Sequence, residues 1–184
     1  MRRLLVLTFF ANGLFAQNTP IPKSIAGSVA RQLSFVEEEL LSIAQAMPDA
    51  KYSFIPTAGK FDDARSFGEQ IKHVACSQFA FFNEMEGKTP PAACWKGGPS
   101  KAATKAELIQ YLRESFDYGN QVLGMVNQDP LARVEGPYAG PSTRLAMAVT
   151  AVWHITDHYG QLVEYLRMNG IVPPRTQEHS LQVR

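Results

Sequence analysis

Two histidines four residues apart, His154 and His158, are the side chains in this sequence best placed to do chemistry. They lie within residues 148–170, AVTAVWHITDHYGQLVEYLRMNG, which reads as one long helix. A spacing of four sets both imidazoles on one face, one turn apart, where they can grip a single metal ion. The same stripe runs Met147, Ala151, His154, His158, Gln161 and Tyr165, and is flanked by the apolar Leu145, Val149, Val152, Leu162 and Leu166. The rings therefore belong to the inward edge of an amphipathic helix. A buried polar ring needs partners. Metal ligation is one way to supply them, and hydrogen bonds to backbone or water are the bland alternative.

A third histidine strengthens the metal reading. His73 sits in SFGEQIKHVACSQFAFFNEME, residues 66–86, beside a stripe of Phe67, Ile71, Val74, Phe81 and Met85. A lone histidine in such a helix is ordinarily structural. Glu69, one turn earlier, could orient it or simply face water. If the two helices are neighbours, three neutral imidazoles converge, the ligand set of a catalytic zinc site that keeps one position open. Nickel, iron or manganese suit similar histidine sites, so the sequence leaves the metal open. Such a cation lowers the pKa of bound water or thiol. Gln161 and Tyr165, at the next two turns, are weak candidates for holding a substrate, with bundle packing as the alternative for both. Asp157 could accept a ring N–H, but a surface pair with Arg144 or another base is the plainer expectation.

Two further long helices complete the framework. Ser24 can cap one running to about Met47, with Ile25, Val29, Leu33, Val36, Leu40, Leu41 and Ile43 at helical spacing. Its Glu37-Glu38-Glu39 run crosses several faces and reads as solvated surface. Thr104, with Glu107 as capping-box partner, can start another helix running to about Val126. Residues 87–100 and 127–141, rich in Gly and Pro, read as irregular loops. Ser142 is expected to start the helix of the paired histidines. Gly170 with Pro173-Pro174 ends it. The tail TQEHSLQVR is polar, and His179 reads as an exposed tail residue. The predicted architecture is all-α, a four-helix bundle whose sites are built from side chains on facing helices.

The chain has 184 residues, of which 45% are hydrophobic, enough for one domain with a single core. Residues 1–16 have the form of a secretory signal peptide: basic Arg2-Arg3, an apolar run from Leu4 to Phe15, and Ala16 before the expected cut. The alternative, a membrane anchor, is short of the roughly 20 residues needed to span a bilayer. No cysteine follows the run, which argues against a lipoprotein. The mature domain is then residues 17–184, exported to the periplasm or secreted. Removing Arg2 and Arg3 from 18 basic residues leaves 16 against 17 acidic ones, a formal charge of −1. That balance offers no basic surface for a nucleic-acid partner. Cys76 and Cys94 permit a disulfide in an exported protein, with two unrelated thiols as the alternative. No di-iron Glu-x-x-His pair, CxxCH haem site, GxSxG, Walker loop or dinucleotide fingerprint occurs.

At two segments the chain resembles the DinB/YfiT-like family of four-helix-bundle metalloproteins. One is Ser66-Phe67-Gly68-Glu69-Gln70-Ile71-Lys72-His73; the other is His154–Gln161, of the form HxxxHxGQ, followed by Tyr165-Leu166-Arg167-Met168-Asn169-Gly170-Ile171-Val172-Pro173-Pro174. The resemblance implies non-sequential helix packing and a divalent metal bound by His73, His154 and His158. It also implies thiol S-transferase activity in some members, a thiol-dependent isomerase branch in the wider superfamily, and frequent homodimers. Export departs from the setting in which cytosolic thiol cofactors are abundant. Two functions remain open: a metal-dependent enzyme of hydrolase or transferase type acting on a small molecule, and a non-catalytic exported bundle that binds metal or a partner.

Overall fold

The computed structural model describes residues 20–177 apart from 101 and 139. The signal-peptide segment and His179 lie outside the described residues. Helix α1 spans Ile25–Ala46, and the Ser24 side chain accepts from the Gly27 N–H to cap it. A short 3-10 turn, Asp49–Lys51, follows. Helix α2 spans Phe67–Met85 and α3 spans Lys105–Val122. Both open on a capping box, Ser66 with Glu69 and Thr104 with Glu107. Helix α4 is the single turn Met125–Gln128, and α5 spans Arg144–Met168. Strand β1 (Arg133–Val134) pairs antiparallel with β2 (Ser142–Thr143).

The four long helices do not pack in chain order. The main contacts are α2 with α3, α1 with α5, α2 with α5, and α1 with α3. Around the bundle the order is α1, α3, α2, α5, so α2 and α5 are neighbours although α3 separates them in sequence. The core they enclose includes Leu33, Leu40, Ile43, Phe67, Ile71, Phe82, Leu112, Phe116, Met147 and Ile155, each less than 2% exposed. Fully burying each such side chain is worth about 1.5–3 kcal/mol, which is why the apolar stripes decide which faces meet.

Four local expectations need correction. Helix α3 ends four residues early, because the chain turns at Leu123-Gly124 before α4. Glycine is a poor helix residue, and the turn lets Val126 reach the core while the Asn127 side chain accepts from Ala26 N–H in the first turn of α1. Residues 127–141 are not wholly irregular: Val134 is buried and pairs with Ser142. Ser142 is therefore strand, and Thr143 caps α5 instead, its hydroxyl accepting from Ala146 N–H at 3.2 Å. On α5 the expected apolar flank is also incomplete, since Val149 is 53% exposed.

The ends of the helices match their chemistry. Gly170 stands at φ +73, and Ile171 N–H reaches back to the Leu166 carbonyl at 3.0 Å. That left-handed residue and six-to-one bond close α5 as glycine allows. Lys105, at the start of α3, donates to the carbonyls of Gln45 and Met47 and so covers the open end of α1. Cys76 on α2 is joined to Cys94 in a 3-10 turn, Ala92–Lys96, with Cα atoms 5.3 Å apart. Loop closure of this size is worth about 3 kcal/mol in the chain-entropy account, and here it pins the α2–α3 connection to the side of α2.

Candidate metal centre

Helices α2 and α5 are clamped by two glutamines. Gln70 Nε2 donates to Gln161 Oε1 at 2.9 Å, and Gln78 Nε2 donates to the Ala151 carbonyl at 3.0 Å. These bonds run antiparallel, 70 to 161 and 78 to 151, and the histidines lie between them on both helices. Gln78 is fully buried, so its bond forms in a region where an unmade one would be costly. Neither glutamine stood out in the sequence. The available signal was a polar residue on a stripe otherwise filled by Ile71, Val74 and Ala75.

Between the clamps the three imidazoles meet. His73 Nε2 and His154 Nε2 are 3.3 Å apart. Ligand atoms from His73, His154 and His158 all lie within 4.8 Å of one another. Two nitrogens each about 2.0–2.1 Å from a tetrahedral zinc would stand about 3.3 Å apart. The ring centroids are 5.1, 4.8 and 4.5 Å apart for the pairs 73–154, 73–158 and 154–158. Without a cation, the His73–His154 contact is a hydrogen bond that uses one Nε2–H. His154 Nδ1 and His158 Nδ1 are buried with no hydrogen-bond partner among the described residues. The donor set fits a divalent cation: three neutral nitrogens within 4.8 Å of one another, no fixed charge among them, and the His73–His154 pair already at the coordination separation.

Burial is the first cause that holds all three rings neutral. It pushes His73 down to about 4, with help from Arg65 and His158. It pushes His154 down to about 3, with help from the other two histidines and Arg65. His158 is also lowered by burial and by Arg65, against opposing pulls from Asp157 and from a hydrogen bond to the Gln161 side chain. The unperturbed value is about 6.5, so protons compete with a metal at a lower pH than ordinary histidines would suggest. The same shifts act on folding. The folded-state values lie below the unfolded one, so the unfolded chain binds more protons as pH falls below 6.5. The stabilisation from neutral rings is present above about 6.5 and is lost as pH falls through the folded-state values near 4 and 3. The thermal midpoint of metal-free protein is expected to drop across this window, and replacing all three histidines by apolar residues should flatten that part of the profile. A wild-type midpoint indifferent to pH from 6.5 to 4 would contradict the burial of the rings.

The other candidates fall in different places. Asp157 is exposed and accepts from Gln161 Nε2 at 2.9 Å. It meets neither a ring N–H nor Arg144, whose guanidinium reaches the Met125 carbonyl. Gln161 is thus engaged by Gln70 and by Asp157, and its side chain also bonds His158. Tyr165 is buried, packs on Phe67 and Phe54, and donates to the Arg65 carbonyl at 2.8 Å. Glu69 does not orient His73; it accepts from Ser66 N–H, and these Ser66 bonds hold its carboxyl below the usual range.

An open cavity of about 470 Å³ leads to the centre, lined by Arg65, Glu69, His73, Cys76, Cys94 and Trp95 among others. An aromatic wall stands beside it. Phe81 meets His154 edge to face at 5.4 Å, Tyr138 meets Phe81 at 6.3 Å, and Trp95 lies on Tyr138 at 4.6 Å. Arg65 was not picked out in the sequence; it enters because the Tyr165 bond and the α2 capping box fix its backbone beside His73.

No curated protein matches the chain. A family model described as the DinB superfamily matches residues 32–162, a span that covers most of the chain and holds all three histidines and both glutamine clamps. With that match, its helical bundle and its three-histidine group, the chain belongs to the DinB superfamily, known for binding metal.

Proposed function

We propose that His73, His154 and His158 hold one divalent cation with an open coordination position, and that the protein is an exported metal-dependent enzyme of hydrolase or thiol S-transferase type. The observation that carries this reading is the convergence of three neutral ring nitrogens between clamped helices. Zinc suits the ligand set best, and nickel, iron and manganese are the alternatives. Bound there, such a cation supplies a Lewis acid toward an oxygen or sulfur atom of a small-molecule substrate. The chain's own part is to keep the rings unprotonated, fix their directions through the α2–α5 clamps, and shield one side with Phe81 and Tyr138.

A second reading, a non-catalytic metal-binding bundle, is favoured by the engagement of Gln161 and Tyr165. Both are committed to structural hydrogen bonds. Elemental analysis of protein isolated from its native host, paired with activity screening before and after removal of that metal, separates the two. One equivalent of divalent metal with an activity that follows it supports the enzyme. One equivalent with no activity supports the binding bundle. Absence of bound metal that also cannot be loaded in vitro overturns both.

Export is supported by the form of residues 1–16 and by the disulfide, a bond that persists in oxidising compartments. Intact mass of the protein from its native host should correspond to a chain starting at Gln17. A mature form retaining Met1–Ala16 would remove this part of the proposal. Among the described residues, no helix is long and apolar enough to cross a membrane.

A further inference from the structure

The Cys76–Cys94 disulfide lies in surroundings that do more than cross-link. Both cysteines line the cavity that leads to His73. Cys76 is buried, whereas Cys94 is half-buried. Tyr111 of α3 places its hydroxyl 3.2 Å from Cys76 Sγ and 3.6 Å from Cys94 Sγ. A disulfide sulfur has no proton, so the phenol is the donor. Burial pushes Tyr111 up to about 12, so it keeps that proton at neutral pH. Phe79 holds the ring in place, with centroids 5.2 Å apart. Lys72 lies one turn before Cys76 on α2. Gly98 packs against both: a Cβ there would stand 2.5 Å from Lys72 Cδ and 3.4 Å from Cys76 Sγ.

A phenol donor does little for a neutral disulfide but favours a thiolate, and Lys72, four residues before Cys76 on the same face of α2, adds a positive charge to that face. A hydrogen bond to a charged acceptor is roughly twice as strong as a neutral one, and lysine beside a cysteine stabilises its thiolate form. The surroundings therefore stabilise the reduced state at Cys76 and make that sulfur a good leaving group.

We propose that Cys76–Cys94 is a redox-active disulfide that exchanges with small thiols entering this cavity. A thiolate attacks Sγ of Cys94, the less buried of the two cysteines, and forms a new S–S bond to it. The Cys76–Cys94 bond breaks, and its electron pair leaves on Cys76 Sγ, which accepts from the Tyr111 hydroxyl. A second thiolate attacks the incoming sulfur of the mixed disulfide. Cys94 leaves as a thiolate and takes a proton from solvent. Two small thiols are oxidised to their disulfide, and the protein disulfide is reduced to a Cys76 thiolate and a Cys94 thiol, with one proton released to solvent. The exchange requires no metal, so it stands or falls separately from the metal centre.

The test equilibrates folded, metal-free protein in glutathione buffers of varied reduced-to-oxidised ratio. Free thiols are trapped by alkylation and counted by intact mass, and circular dichroism confirms that the fold survives. The disulfide is expected to open reversibly in the folded protein. Tyr111→Phe should shift the equilibrium toward the disulfide by about tenfold, the scale expected when a thiolate loses a charge-assisted hydrogen bond. Lys72→Met should shift it in the same direction by less. Should Tyr111→Phe fail to fold, Lys72→Met carries the same comparison. A disulfide that opens only when the protein unfolds overturns the proposal, as does an equilibrium unchanged in the variants that fold.

Discussion

Replacing His73, His154 or His158 singly by alanine is expected to abolish stoichiometric binding of zinc, while His179→Ala leaves it intact. A three-nitrogen site loses a third of its ligands with each change, and the remaining pair cannot hold the cation against water. For scale, loss of a mere supporting partner around a metal typically costs about 10–100-fold in affinity, and loss of a ligand costs more. Unfolding is the competing explanation, and the buried rings separate the two. In metal-free protein, His154 Nδ1 and His158 Nδ1 are buried without partners among the described residues. Removing such a ring relieves a polar burial cost, which offsets part of the packing, and of the His73–His154 bond, that it takes away. His154→Leu should therefore lose metal binding and yet keep its metal-free melting transition. Equilibrium dialysis with metal analysis reads the first, and calorimetry on the stripped protein reads the second. One equivalent of zinc retained by any of the three alanine variants would remove that residue from the centre.

Much of this centre is legible in the sequence because its parts are local. The four-residue spacing of His154 and His158 is a property of one helix, and so is the stripe Phe67, Ile71, Val74, Phe81 and Met85, all of it buried. Ser24, Thr104 and Gly170 act where their chemistry places them. What was not legible depends on partners far along the chain. That α2 adjoins α5 while α1 and α2 lie diagonally is a matter of bundle order, which periodicity does not encode and only the family resemblance implies. Gln78 looks like any polar helix residue until its partner, the Ala151 carbonyl 73 positions away, is known. Glu69 illustrates competition between two local roles: as third residue of the helix it bonds Ser66, so it is no longer available to His73. The turn at Leu123-Gly124 was hidden by a periodicity that continues to Met125 and Val126.

The close approach of α3 to α2 should be the most mutation-sensitive contact in the bundle. Phe82 is fully buried, and its ring lies over Gly119, where an added Cβ would stand 2.5 Å from Phe82 Cε2. Phe82→Ala is expected to cost about 3–5 kcal/mol, the range for emptying an aromatic site in a core. Gly119→Ala should cost about 1–3 kcal/mol through overpacking, less about 1 kcal/mol regained because alanine suits a helix interior better than glycine. The two changes should not add. With the ring gone, the new methyl group occupies vacated space, so the double variant should be more stable than the sum predicts by about 0.5–3 kcal/mol, the range for residues in contact. Urea denaturation of the four proteins completes the cycle. Strict additivity would mean that the glycine is not kept small by this ring. The contact also matters beyond stability. Phe82 follows Phe81, which meets His154, and both lie on the helix that carries His73. The rotation of α2 that seats Phe82 on Gly119 is the rotation that turns His73 toward α5. A destabilised Phe82→Ala protein that still folds should bind zinc more weakly even though every ligand is present.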